Sequence, residues 1–109
     1  MIVPAALRAP LDCFAVRLRA VFGERVRELR LFGSYARGDA HEDSDVDVLV
    51  VIDGLTDLEI GLVANEAAPV IMATGVPLAP LPMSTQRLAD LRRTGRSLAT
   101  DLDREGISL

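Results

Sequence analysis

The apolar residues near the start of the chain follow a helical repeat. They recur three or four positions apart, at Leu11, Phe14, Ala15, Leu18, Val21 and Phe22. This spacing predicts an amphipathic helix over about 10–22 that ends at Gly23. Two further segments predict strands: 26–32, VRELRLF, which is stopped by Gly33, and 46–52, VDVLVVI, which is rich in β-branched residues. The second is almost wholly apolar after its first two residues, so we expect it to be covered on both faces.

A capping box marks the start of the next helix. Thr56 and Glu59 have the spacing of this motif, which opens a helix that runs towards Thr74. Pro69 falls inside that helix, and we expect it to kink or split the helix because proline removes one backbone hydrogen bond.

The segment 76–83, VPLAPLPM, is extended, and its three prolines cannot donate hydrogen bonds to a neighbouring strand. It is therefore expected to be an edge strand or a polyproline-like segment. Ser84 caps a further helix to about Thr94, and a last helix is predicted over 97–105. This order of elements predicts an α/β (α+β) fold, in which helices pack against one small mixed sheet. At 109 residues, we expect the whole chain, 1–109, to be a single domain.

Composition narrows the class of protein. A formal net charge of -4 argues against a protein that coats nucleic acid, so we expect no direct nucleic-acid binding. One cysteine, Cys13, excludes an internal disulfide and fits a reducing compartment. No apolar run approaches the roughly 18 residues of a membrane span. The sequence predicts a soluble, cytoplasmic protein that does not interact with membranes.

The charges are sorted along the chain. Residues 39–66 contain nine acidic residues and neither Lys nor Arg, whereas 8–30 contain six Arg and three acidic residues. Nine uncompensated carboxylates repel one another unless some of them meet a cation. Two interpretations stay open at this point: a solvated acidic face, and a metal site flanked by arginine-bearing segments that suit a polyphosphate.

The segment 31–52, LFGSYARGDAHEDSDVDVLVVI, contains the candidate chemistry. Asp45 and Asp47 enter the second strand two positions apart, so their carboxylates lie on one face, about 6.5–7 Å apart along the chain. Hard oxygen ligands at this spacing suit Mg²⁺. Gly33 allows a phosphate to approach the backbone, and Ser34 begins a short helical turn, 34–37, that offers N–H groups and a hydroxyl to an anion.

The spacing of the two aspartates carries little weight alone, because the chain has three D-x-D pairs and about one is expected by chance. Their context is more specific: Gly-Ser ends one strand, ten residues follow, and D-V-D enters a buried strand. Over 33–52 the chain resembles the minimal nucleotidyltransferases of the DNA polymerase β-like superfamily, whose signature is G-S-x10-D-x-D.

The resemblance implies the polymerase β-like nucleotidyltransferase fold and a role for each motif residue. Gly33 and Ser34 would contact the nucleotide phosphates, and Asp45 and Asp47 would be the catalytic ligands of Mg²⁺. Arg37, in the turn of the motif, is a further candidate for nucleotide binding. The implied reaction transfers a nucleoside monophosphate, with ATP as the favoured donor, and releases pyrophosphate. One departure stands out: the third carboxylate of fuller active sites comes from a following strand, and 76–83 contains no acidic residue.

Some of the minimal nucleotidyltransferases that this chain resembles act as antitoxins that adenylylate a tyrosine of a HEPN-type toxin. The resemblance makes this the function we expect here. One alternative is a catalytically weak or inactive domain that neutralises its partner by binding. A small-molecule nucleotidyltransferase of the aminoglycoside-modifying type ranks last, because such enzymes usually need an extra domain for the acceptor. The identity of the partner, and whether the protein forms homo- or hetero-oligomers, are not determined by the sequence.

Overall fold

The computed structural model describes residues 3–41, 43–95, 100, 103–104 and 106–109. Within these residues, four strands form one mixed sheet in the order β3-β2-β1-β4. The strands are β1 (Val26–Phe32), β2 (Val46–Ile52), β3 (Leu78–Ser84) and β4 (Ile107–Ser108). Strand β1 runs antiparallel to both β2 and β4, whereas β3 runs parallel to β2. The mixed α/β fold expected from the sequence is confirmed.

Helices connect and cover these strands. They are α1 (Ala5–Phe22), the four-residue turn α2 (Ser34–Arg37), α3 (Asp57–Thr74) and α4 (Thr85–Arg93). Helix α3 is the crossover between the parallel strands β2 and β3. Its capping box is present, since the Thr56 hydroxyl accepts from the Glu59 N–H and the Glu59 carboxylate accepts from the Thr56 N–H. The Ser84 hydroxyl caps α4 in the same way, by accepting from Arg87 N–H at 3.0 Å.

The sheet separates two apolar layers because successive residues of β2 point to opposite faces. Val46, Val48, Val50 and Ile52 pack with α1 and α3, whereas Leu49 and Val51 pack with α4. The last five residues of β2 are all fully buried, which confirms the expectation of a strand covered on both faces.

Strand β3 forms one edge of the sheet, as its prolines predicted. Val46 N–H donates to Pro77 C=O at 2.9 Å, and this contact sets the parallel register. In that register the nitrogens of Pro80 and Pro82 face the free edge, where no ladder hydrogen bond is lost. The same arrangement prevents another strand from pairing there.

Three expectations differ from the structure. Helix α1 begins at Ala5 rather than near residue 10, because Leu7 and Pro10 are buried in the core and their packing stabilises an additional N-terminal turn. Pro69 does not split α3, which continues to Thr74. Pro69 is exposed and lies on the solvent side, where the carbonyl that loses its N–H partner is accessible to water.

The third difference is β4, which the sequence did not predict. A two-residue strand has too little apolar periodicity to be recognised before its partner is known. Most of the predicted last helix, 97–105, lies outside the described residues; the three of its positions that are described, Thr100, Asp103 and Arg104, are helical. Among the described helices, none combines the length and hydropathy that crossing a bilayer requires.

Candidate active site

The candidate site is built around the junction between β1 and α2. Gly33 follows the last residue of β1 and has φ +74° and ψ -152°, a conformation that residues with a Cβ rarely adopt. A Cβ at this position would overlap Oδ2 of Asp47 and lie only 3.2 Å from its Cγ. Glycine is therefore needed both for its backbone angles and for the space that the Asp47 carboxylate occupies.

The two aspartates of the motif stand at the start of β2. Asp45 is exposed and directly precedes the strand, and Asp47 is its half-buried second residue. Val46, between them, is fully buried on the opposite face, as the strand alternation predicted. Burial raises the pKa of the Asp47 carboxyl, and the neighbouring Asp45 charge raises it further. The structure thus places the Asp45 carboxylate close enough to oppose the ionisation of Asp47.

Helix α2 brings the remaining motif residues to the same place. Ser34 is half-buried at its start, and the exposed Arg37 is held at its end by an N–H bond to Gly33 C=O at 3.1 Å. The Arg37 side chain forms an ion pair with Asp39 at 3.3 Å. Its positive charge also lowers the pKa of Asp47, which partly offsets burial and Asp45. Arg37 is therefore near enough to act on the same carboxylate.

The loop from α2 to β2 has an ordered turn of its own. His41 N–H donates to the Ser44 hydroxyl at 3.0 Å, and Ser44 N–H donates to His41 C=O at 2.9 Å. Asp43 N–H donates to Nδ1 of His41 at 3.3 Å. His41 and Asp43 are both exposed in this turn.

No third carboxylate joins this pair among the described residues. Asp47 is paired with Phe32 of β1 on one side and with Ala79 of β3 on the other. Asp90 contacts Arg93 at 2.8 Å on α4, and no group of three metal-ligating side chains is found in the described part of the chain. The departure seen in the sequence therefore persists in three dimensions, and the register identifies Ala79 as the position beside Asp47.

The sequence did not reveal the role of Arg25. Its guanidinium donates twice to Glu59, at 2.7 and 2.8 Å, and also to the carbonyls of Asp53 and Gly54. The pKa of Glu59 is lowered to about 2, chiefly by the hydrogen bond from Arg25 and then by the one from the Thr56 backbone N–H. Arg25 thus ties the β2–α3 turn to the start of β1. No local sequence signal links positions so far apart.

A groove of about 410 Å³ lies between α1 and β4, and another of about 330 Å³ lies between the starts of α3 and α4. Neither of these grooves is lined by Ser34, Asp45 or Asp47.

Comparisons with known proteins identify similar chains. The protein adenylyltransferase MntA of Thermococcus cleftensis is 43% identical over 58 residues, which cover 53% of this chain and 57% of the relative. The match therefore spans little more than half the length of that relative.

Two crystal structures share the fold. One, described as a toxin–antitoxin with AMP-PNP, has a TM-score of 0.57 at 21% identity, over 87% of this chain and 68% of the other. The second is an MntA-HpeT toxin–antitoxin with two aspartates, two positions apart, changed to glutamate. Its TM-score is 0.56 at 19% identity, over 86% of this chain and 68% of the other.

The nucleotidyltransferase domain family matches residues 16–87, a segment that begins within α1, contains the whole Gly33–Asp47 site and ends in the first turn of α4. Since this segment is more than half of the chain, the chain belongs to the nucleotidyltransferase domain family.

Proposed function

We propose that this chain is a Mg²⁺-dependent nucleotidyltransferase that transfers AMP from ATP to a protein hydroxyl, with a tyrosine of a HEPN-type toxin as the acceptor. The observation that carries the proposal is the contact between Gly33 and Asp47. It puts the Gly-Ser turn of a phosphate-binding motif directly against one of two paired carboxylates. The family match supports the reaction class, and the MntA relative, a protein adenylyltransferase, supports the donor and the acceptor class.

The paired carboxylates fit a divalent cation. Asp45 and Asp47 provide hard oxygen ligands, one exposed and one half-buried, and their mutual repulsion is relieved by a positive charge between them. We assign them as the residues that would hold Mg²⁺. When bound, this ion neutralises charge on the transferring phosphoryl group. The MntA-HpeT variant has both of its altered aspartates at the same i, i+2 spacing.

The protein's own groups position the nucleotide. Gly33 places the turn that follows it directly against Asp47, and the Ser34 hydroxyl of that turn would donate a hydrogen bond to a phosphate held there. Arg37 provides a permanent positive charge beside Asp47, where the phosphates of the donor would lie. These three residues are therefore assigned to phosphate binding.

Two features of the site indicate the chemical class of the acceptor. With Ala79 rather than an acid beside Asp47, the general base that usually removes the acceptor proton is missing. A tyrosine compensates best, because its pKa of about 10 is far below that of an aliphatic alcohol. Neither of the two grooves described above is lined by Asp45 or Asp47, and we infer that the acceptor is presented by another macromolecule rather than bound as a small molecule.

The test is co-expression with the product of the neighbouring gene, followed by intact-mass measurement of that product as the candidate toxin. An adenylylated toxin gains about 329 Da per transferred AMP. The gain should map to a tyrosine and disappear in the Asp45→Asn, Asp47→Asn double variant. A toxin that is modified by the double variant would contradict the assignment of the carboxylates.

A second candidate function is neutralisation by binding alone, and the absence of a third carboxylate from the described site favours it. The same experiment separates the two functions, because this second function yields a stable complex without added mass. Rapid, pH-independent labelling of aminoglycosides by the chain alone would instead favour the small-molecule enzyme. If neither complex nor added mass is found, the antitoxin function is wrong.

A further inference from the structure

Helix α3 exposes an apolar face on the side away from the sheet. Val63, Ala67 and Val70 point inward and are buried. On the opposite side, Leu58 is 90% exposed and Met72 is 86% exposed. At 100° per residue these two share one face with four other exposed apolar residues. The outer face of α3 consists of Leu58, Gly61, Leu62, Ala68, Pro69 and Met72, with Asn65 as its single polar residue.

This face is also free of charge, in contrast to the rest of an acidic chain. Between residues 60 and 74 the only charged residue is Glu66, which is half-buried and lies 3.2 Å from Arg17 of α1. The chain as a whole has a net charge of -4, so two copies repel each other when their acidic surfaces meet. The outer face of α3 allows two copies to approach without that cost.

The side chains of the face are complementary to themselves in size. If two α3 helices pack antiparallel with Asn65 at the centre, position 58 faces 72, position 61 faces 69 and position 62 faces 68. Leu58 then packs on Met72 of the second copy, Leu62 fills the space above Ala68, and Pro69 lies over Gly61. Asp57 falls opposite Ala73, so the pairing brings no two carboxylates together.

We propose that two copies of this chain form a symmetric dimer through the outer face of α3, with Asn65 on the two-fold axis. A two-fold interface of this kind uses the same patch on both subunits, and a self-complementary face satisfies that requirement. Asp47 lies on the face of the sheet opposite to α3, beside Leu49 and Val51. The dimer therefore leaves the candidate active site open and does not depend on the proposed function.

The size of the face sets the expected strength. The 18 residues of α3 extend about 27 Å, and one helix pair buries less than the roughly 800 Å² per subunit of a standard interface. We therefore expect a dimer with a dissociation constant in the micromolar range. Sedimentation equilibrium from about 5 to 300 μM covers that range.

The first test compares two alanine-to-glutamate variants of the isolated chain. The wild-type mass should rise with concentration towards twice 11.7 kDa. Ala68→Glu should raise the dissociation constant at least about tenfold, because it buries a carboxylate in each half of the interface. Ala89→Glu makes the same change at an exposed position of α4, on the other side of the sheet, and should dimerise like the wild type.

A second test checks the geometry directly and does not depend on how well Ala68→Glu folds. In a Cys13→Ser background, Asn65→Cys places a thiol on the two-fold axis and should form a disulfide-linked dimer on mild oxidation. Ala89→Cys is the matched control and should stay monomeric under the same oxidation. A wild-type chain that is monomeric throughout the range, an unaffected Ala68→Glu dimer, or the lack of an Asn65→Cys crosslink would each overturn the proposal. The proposal would also be overturned if the outer face of α3 bound a different protein and never a second copy of this chain.

Discussion

Gly33 and Asp47 meet across the β1–β2 pair, where the carboxylate of Asp47 occupies the volume that a Cβ of residue 33 would need. The glycine of the phosphate motif and the aspartate of the metal motif are therefore one structural unit. A change at either residue should displace the other.

Replacing Gly33 by alanine tests this relationship. The backbone conformation of Gly33 costs a residue with a Cβ about 1–3 kcal/mol, and the overlap with Asp47 adds to that cost. We expect Gly33→Ala to lower the free energy of unfolding by at least about 2 kcal/mol and to abolish Mg-ATP binding. Urea denaturation and calorimetric titration measure the two effects.

Gly75→Ala is the control, because Gly75 also has a positive φ, +72°, but a Cβ added there would meet nothing within 4 Å. It should cost about 1–2 kcal/mol and leave nucleotide binding intact. Equal loss of binding in both variants would show that backbone strain alone is responsible.

Replacing Asp47 by asparagine should stabilise the ligand-free protein. The pKa of Asp47 is raised by burial and by Asp45, so its ionised form opposes folding, and stability falls as the pH rises through that pKa. At pH 7 the melting temperature of Asp47→Asn should therefore exceed that of the wild type. Asp43→Asn, in the exposed turn, is the control and should change it little.

Mg-ATP should stabilise the wild type but not a variant that lacks both carboxylates. Mg-ATP at 100 times its dissociation constant stabilises the wild type by about 2.7 kcal/mol, because only the folded state binds it. That stabilisation should vanish in the Asp45→Asn, Asp47→Asn double variant. A full shift in melting temperature with the double variant would exclude these residues as metal ligands.

The ion pair between Arg25 and Glu59 predicts a pH dependence of folding. Its hydrogen bonds lower the pKa of Glu59 from 4.5 to about 2. The contribution of Glu59 to stability is therefore complete above pH 4.5 and is lost as the pH falls towards 2. Glu59→Gln should lower the melting temperature at pH 7, and the difference from wild type should shrink through this interval.

Asp57→Asn removes a carboxylate from the same first turn of α3 and serves as the comparison. Asp57 forms no ion pair with any residue in the described ranges, so we expect a smaller change at pH 7. If both variants lost stability equally over the same pH interval, the helix dipole rather than Arg25 would be the cause.

The position of Ala79 allows the third carboxylate to be restored. Ala79 is the β3 partner of Asp47 and shares its face of the sheet. If the missing general base limits the reaction, Ala79→Asp should increase AMP transfer at least about tenfold, since such catalysis contributes roughly 10²–10⁴-fold when the base is ideally placed. Ala79→Asn matches its shape without the charge and should not.

Initial rates between pH 6 and 9 measure this effect. Wild-type transfer should rise with pH as the acceptor ionises, and Ala79→Asp should flatten that rise. If the wild-type rate of transfer were independent of pH, the chain would have a general base elsewhere than at position 79 of β3.

Much of the fold was predictable from local signals. Strands 26–32 and 46–52 were predicted at their observed bounds, because Gly33 ends the first and Asp53-Gly54 ends the second, which is rich in β-branched residues. The capping box of α3 and the edge position of β3 were predicted for the same reason: each depends on a few residues adjacent in the chain. The motif residues also lie within fifteen positions, so their grouping needed no knowledge of distant contacts.

Tertiary structure decided what local signals do not contain. The start of α1 depends on how Leu7 and Pro10 pack in the core, and β4 exists only through its pairing with β1. The continuity of α3 through Pro69 depends on which side of the helix faces water.

The candidate site shows the same division. The sequence by itself determined which residues are chemically suited to phosphate and metal, since their types and spacing are local properties. The sheet register decided that Asp47 fills the missing Cβ volume of Gly33 and that Ala79, with no carboxylate, stands on its other side. Register is set by hydrogen bonds and packing between distant segments, and these form only when the chain folds.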